Sequence, residues 1–331
     1  MPVTCRNSDL VLDVRDTTPA TEDIVNKYDT FLDALCPERY AFQRDAIKAA
    51  LRFLVSAVYP DTRALAVDNY ERNERLRGRY ATLADYLATF PLADRRSVSL
   101  DLATGTGKSW VLYGLARILL AEGLVDKVLV LCPSLTIEDG LKEKFLQLGA
   151  DPNLKAILQE LGAIHAGADV KSADTDILPG DICVENIHAV YERTGSSIEN
   201  SFKGKGGRTL VLNDEAHHIF SKADSATKRW LEFLANPDYG FRYMIHVSGT
   251  PYIGDDYFTD VVYRYGLKQA IEARVVKQID YKLDQLVGRD AGLQETWHNH
   301  LLNRERLAGR VKPITIIVPF SAGGPSDAMA R

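Results

Sequence analysis

From Ala41 to Tyr59, apolar residues recur at three- and four-residue steps: Phe42, Ala46, Ile47, Ala50, Leu51, Leu54 and Val58. Arg44, Lys48 and Arg52 fall elsewhere on the turn, so the spacing predicts an amphipathic helix, and Pro60 ends it. Residues 61–96 are charge-rich, and NYERNERLRGRY predicts a solvated helix. Alternation then sets in. Ser97–Ala103, Lys127–Cys132, Asp181–Val184, Arg208–Asn213 and Arg242–Val247 are short apolar runs that predict strands. Gly107–Glu122, Leu135–Leu148 and Ser225–Ala235 carry helical spacing between them. Residues 258–284 add a strand (DVVYRY), a short helix (LKQAIEA) and a strand (VVKQIDYKL). A polar helix, Glu295–Gly309, and an apolar strand, Pro313–Val318, follow. Residues 1–32 are mixed and polar without periodicity, and predict an N-terminal appendage.

Strand, helix, strand, helix over this length predicts an α/β fold, a mostly parallel sheet with helices on both faces. KVLVLC is almost wholly apolar, as strands covered on both faces are. The 331 residues, 46% hydrophobic and 26% charged, exclude global disorder and allow a substantial core. Lys+Arg 40 against Asp+Glu 45 leaves a net charge of −5, which excludes a wholesale basic nucleic-acid binder but not a local basic groove. Cys5, Cys36, Cys132 and Cys183 form no C-x-x-C pair, so buried free thiols in a reducing compartment are expected rather than zinc or disulfides. No secretory signal and no membrane-length apolar run is visible, and a cytoplasmic location is expected.

The chemistry concentrates in three segments. LATGTGKS, Leu102–Ser109, follows a predicted strand and opens a predicted helix, the context of a phosphate-binding loop. Gly105 and Gly107 let backbone N–H groups turn toward phosphate oxygens, with Thr104 and Thr106 between them. Lys108 would reach the terminal phosphates, and the Ser109 hydroxyl would ligate Mg2+. In TLVLNDEAHHIF, Thr209–Phe220, an apolar strand delivers Asp214 and Glu215 at its C-terminal end. Asp214 would hold Mg2+, Glu215 would orient the attacking water, and His217 would sense the terminal phosphate, while His218 has the weaker case and is as well explained by packing. In HVSGTPY, His246–Tyr252, Ser248 and Thr250 end a strand before Pro251. Alone that is a turn; in this order it becomes a candidate coupling element.

ATGTGKS, DEAH and SGT in this order and spacing resemble the first motor domain of superfamily 2 DEAD/DEAH-box helicases and translocases. The details VLNDEAHH, CPSLTI and YRYGLKQAIEARVVK are closest to the restriction (Res) subunits of type III restriction–modification systems. The resemblance implies a RecA-like P-loop NTPase fold, ATP with Mg2+, and DNA contacted through its phosphates. RYAFQRDAI resembles the adenine-reading segment: Gln43 would bond the base edge, with Tyr40 or Phe42 stacking nearby. Pro133, Ser134 and Thr136, and then Asn186 and His188, resemble the family's nucleic-acid loops. Arg72, Arg75, Arg77 and Arg79 could assist, although a solvated helix is the expectation there. A methyltransferase partner would supply sequence recognition.

The resemblance divides the chain into an appendage at 1–32, a helicase ATP-binding domain at 33–290 with a charged insertion at 61–96, and residues 291–331 leading toward a second motor domain. No arginine-finger segment of a second motor is present, so weak turnover by this chain alone is expected. KPITIIVPFSAGGPSDAMAR resembles the first strand and Gly-rich loop of tripartite tricarboxylate transporter receptors, which would make 319–331 a junction; ordinary turn chemistry explains it equally. Two rivals remain: a nucleotide-binding module without turnover, and the motor part of an ATP-dependent endonuclease. For the latter, Asp280-Tyr281-Lys282 is the sole and weak candidate.

Overall fold

The computed structural model describes residues 6–192, 197–220 and 225–276. A seven-stranded sheet forms its centre. The strands are β1 (Arg96–Leu102), β2 (Lys127–Cys132), β3 (Val170–Lys171), β4 (Ile182–Asn186), β5 (Thr209–Asp214), β6 (Tyr243–Ser248) and β9 (Val261–Tyr265). A small antiparallel hairpin, β7 (Tyr252–Ile253) with β8 (Asp256–Tyr257), stands apart. The sheet order is β3-β4-β2-β5-β6-β1-β9, and every pair in it is parallel. Every residue of β1, β2, β4, β5 and β6 is buried, as a sheet covered on both faces requires. This is the RecA-like α/β architecture.

Two predicted elements keep their ends, Lys127–Cys132 and Ser225–Ala235; the other predicted strands shift by one or two residues. The first predicted helix stops at Leu54 rather than Tyr59, and Arg96 reaches back to its end, donating to the carbonyls of Phe53, Leu54 and Ser56. The charged run breaks into two helices, Thr62–Arg72 and Glu74–Arg79, because the Asn73 side chain accepts the Arg75 and Leu76 N–H groups and caps the second. Its arginines are occupied: Arg72 by Asp68, Arg75 by Asp9, Arg77 by the carbonyls of Tyr70 and Glu71, and Arg79 by Asp256.

The N-terminal segment is not an appendage from Leu10 onward. Helices Pro19–Lys27 and Asp29–Leu35, with Tyr28 between them, bury Val25, Tyr28, Phe31 and Leu32 in the main core, joined by Leu10 and Leu12. Buried Asp16 anchors the connection, accepting from the hydroxyls of Thr18, Thr21 and Ser56 and from the Ala57 N–H. These hydrogen bonds hold its carboxyl well below the usual range although burial opposes them. Cys36, Cys132 and Cys183 are buried free thiols. The predicted strand at 275–283 runs out of the described residues after Val276, and the elements expected at 295–318, the tail at 319–331 and the Asp280–Lys282 triplet all lie outside them.

Candidate nucleotide site

The sheet order decides which strand ends meet. β6 lies between β1 and β5, so the loop after β1, the Asp-Glu pair after β5 and the Ser-Gly-Thr turn after β6 emerge side by side at the C-terminal edge. Register sets their heights: Asp214 pairs with Val247, and Asp101 pairs with Ser248.

The loop 102–109 is closed by its own bonds. Thr106 is buried, and its Oγ1 and N–H both donate to the Ala103 carbonyl, at 2.6 and 3.2 Å. Gly107 caps the Lys108–Ala121 helix with φ +78°, a left-handed conformation that disfavours side chains. A Cβ there would also lie 2.6 Å from Gln43 Nε2. Thr104 and Gly105 are exposed, and Ser109 is half-buried at the first turn of the helix. Gly249, which the sequence pattern did not single out, is needed for the same reason of space: its Cβ would fall 2.8 Å from Thr104 Oγ1 and 2.9 Å from Thr104 N. The Ser-Gly-Thr turn is therefore pressed against the phosphate loop.

The charged groups converge on this point. Lys108 Nζ and Glu215 Oε1 form a half-buried ion pair. Glu215 Oε2 lies 3.4 Å from His217 Nδ1, and that nitrogen shares a 2.9 Å hydrogen bond with Ser248 Oγ. Ser248 Oγ also accepts the Thr250 N–H at 3.0 Å, so Lys108, Glu215, His217, Ser248 and Thr250 form one connected chain. Burial, with His218 adding to it, lowers the His217 pKa and favours the neutral ring. His218 tilts against His217, exposed and outside the chain. Glu215 adopts φ +51°, a conformation costing about 1–3 kcal/mol for a side-chain-bearing residue, of the kind found at functional sites.

Asp214 is buried, and its Oδ1 has no hydrogen-bond partner among the described residues. Burial pushes its carboxyl up to about 6, against the attraction of Lys108 and aided by Glu215. An orphaned buried oxygen beside a phosphate loop suits a divalent cation that brings its other ligands from phosphate and water. Among the described residues no group of three His, Cys, Asp or Glu could hold a metal, so such an ion would depend on Asp214, Ser109 and the nucleotide together.

The base-reading residues differ from expectation. Gln43 is buried, and its Nε2 donates to the carbonyls of Thr106 at 2.7 Å and Gly107 at 3.4 Å, so it braces the loop from below. Phe42 is not available for a base face, because Tyr265 stacks on it at 4.0 Å with rings parallel within 3°. Tyr40 is half-exposed, edge-on to Phe42, with the Arg39 guanidinium 5.8 Å from its ring centre.

The expected nucleic-acid residues divide. Ser134 caps the Leu135–Gly149 helix, with half-buried Pro133 before it and exposed Thr136 in its first turn. His188 is exposed. Asn186 is buried instead: its N–H and Nδ2 donate to Glu138 Oε2 at 2.9 and 2.6 Å. It ties the end of β4 to the helix after β2 and is not open at the surface as a direct contact would require. Glu138 itself gave no signal in the sequence beyond an acid in a helix's first turn.

Loop, acidic strand end and Ser-Gly-Thr turn meet on one parallel sheet, as in the first motor domain of the superfamily 2 helicase type. Residues 40–253, well over half of the chain, match the family described as type III restriction enzyme, res subunit, and the chain belongs to that family. Solved structures that resemble it include the UvsW helicase from bacteriophage T4 (17% identity, TM-score 0.32, covering 53% of this chain and 56% of that one). A second UvsW structure has 16% identity, a TM-score of 0.30, and coverage of 56% and 30%. A nuclease-deletion mutant of the type ISP restriction–modification enzyme LlaGI, in complex with a DNA substrate mimic, has 15% identity, a TM-score of 0.37, and coverage of 68% and 22%. This chain thus spans about half or less of the proteins in those structures. No curated protein sequence matches it.

Proposed function

We propose that this chain is the nucleotide-hydrolysing half of a DNA translocase from a type III restriction-like system. The observation that carries the proposal is the connected chain Lys108–Glu215–His217–Ser248 beside a closed, glycine-turned loop. ATP would lie on residues 102–109, its terminal phosphates drawing Lys108 away from Glu215. Asp214 and Ser109 would hold Mg2+, which when bound neutralises phosphate charge. Glu215, once released by Lys108, would accept a hydrogen bond from the attacking water. His217 and Ser248 would carry the difference between bound and hydrolysed nucleotide to the turn at Thr250. The loops at Pro133–Thr136 and around His188 would meet DNA phosphates, so contact would be independent of sequence. Sequence choice would fall to a separate modification subunit.

The test is nucleotide titration and hydrolysis with and without duplex DNA. Lys108→Ala removes a charge-assisted contact worth about 1.5–3 kcal/mol, so nucleotide affinity should fall roughly ten- to a hundredfold. Unchanged affinity would refute the site. Hydrolysis that DNA fails to stimulate, even with a second motor domain supplied, would refute the translocase reading while leaving the nucleotide site standing.

A further inference from the structure

The N-terminal edge of the sheet carries a cavity of about 600 Å³, lined in part by Lys127, Leu178, Pro179, Lys205, Arg208 and Thr209. Thr209 and Asp214 are opposite ends of β5, so the cavity lies roughly 17 Å from the nucleotide site along the strand. Lys127 opens β2 and is 7% exposed. Its ammonium donates to the Ser201 carbonyl at 3.1 Å and lies 5.9 Å from the Phe202 ring centre. Lys205 donates to the Asn200 carbonyl at 3.0 Å. Neither lysine forms an ion pair with a described carboxylate.

The nearby acids are committed elsewhere. Asp126 accepts the Arg208 fork at 2.7 and 2.8 Å. Asp181 pairs with Lys171 and accepts the Leu178 N–H, both at 2.7 Å. Asp126, Asp181 and Asp176 reach Lys127 only as weaker, longer-range attractions, while burial and then Lys205 lower its pKa. A buried ammonium without a counter-ion costs free energy that an anion would recover. Lys127 and Lys205 both line this cavity, together with Asp126 and its partner Arg208, and exposed Leu178 with Pro179 adds apolar surface to it. The volume exceeds what a lone phosphate needs and suits a small molecule.

We infer that the Lys127–Lys205 cavity is a second anion site, built for the phosphoryl group of a ligand of about nucleotide size and separate from the loop at 102–109. The phosphoryl group could come from a free phosphate ester or from a nucleic-acid backbone. The proposal does not rest on the function proposed above, and its test weakens the loop by using the full chain with Lys108→Ala and reads the second site by its dependence on Lys127 and Lys205.

Adenosine monophosphate, inorganic phosphate and a short single-stranded oligodeoxynucleotide are titrated calorimetrically at constant ionic strength. Saturable binding is expected, weakened roughly ten- to a hundredfold by Lys127→Met and by Lys205→Gln. Lys127→Met keeps the stem and removes an unpaired charge, so its melting temperature should equal or exceed that of its parent, and phosphate should raise the parent's melting temperature more. Tighter Lys127-dependent binding of the monophosphate assigns the site to a free ester; tighter binding of the oligonucleotide assigns it to a backbone. No binding to the Lys108→Ala chain, or binding indifferent to both lysine substitutions, overturns the inference.

Discussion

Asp214→Asn should stabilise the metal-free protein while abolishing its response to Mg2+. The carboxyl is buried, and its pKa stands at about 6 against an ordinary 3.8. A raised carboxylate runs opposite to the usual case. Between those two values the folded state holds a proton that the unfolded chain has released, so stability falls as pH rises through the interval and stays lower above it. At about 1.4 kcal/mol per pH unit, the ionised group costs about 3 kcal/mol at neutral pH. Asparagine keeps the volume and removes that cost. Since about 1 kcal/mol moves the midpoint of a domain this size by roughly 2–4 °C, the variant should melt roughly 6–12 °C higher at about pH 7.5. At about pH 4 the wild-type carboxyl is protonated and the two proteins should converge. The assay is thermal and chemical denaturation at both pH values, with and without Mg2+ and nucleotide, where the ions should restore wild type and leave the variant unmoved. A variant less stable than wild type at about pH 7.5, or a gap that persists at about pH 4, would refute the reasoning from desolvation.

Gly107→Ala should destabilise by about 1–2 kcal/mol in urea denaturation, because its φ of +78° disfavours a side chain, and more if the Gln43 amide 2.6 Å from the new Cβ fails to yield. Glu215→Gln should bind nucleotide as wild type does and lose hydrolysis, which single-turnover measurement checks against parallel titration. His246 is fully buried between Ser97 Oγ at 2.8 Å and the Asn213 amide at 3.2 Å, and burial pushes its pKa down to about 3. The unfolded ring takes up a proton near its ordinary 6.5, so stability contributed here should be complete above that pH and drain away as pH falls toward 3; His246→Gln should flatten that part of the pH–stability profile. Trp230→Phe removes the N–H that satisfies Asn213 Oδ1 at 3.0 Å and should cost about 1–3 kcal/mol, read by denaturation midpoint.

Much of the site could be read from local sequence, because its pieces are each contiguous. A phosphate loop is a strand end, two glycines, a lysine and a hydroxyl within eight residues, Leu102–Ser109. An acidic strand end is an apolar run closed by Asp214 and Glu215, and strand β2 coincides with KVLVLC because a central strand buried on both faces takes apolar residues along its length. What local spacing could not supply was adjacency. That β6 lies between β1 and β5, bringing Ser248 to His217 and Gly249 to Thr104, follows from crossover connections that join residues far apart in sequence, Thr104 and Gly249 more than a hundred apart. The same limit explains the misreadings. Asn186 became a buried brace because Glu138 meets it from another helix; Phe42 lost its open face to Tyr265; and the polar-looking N-terminus joined the core because Leu10, Leu12 and Phe31 find apolar surface that only the folded sheet and its helices create. Periodicity reports which face of an element is apolar, whereas the occupant of that face is chosen by long-range packing.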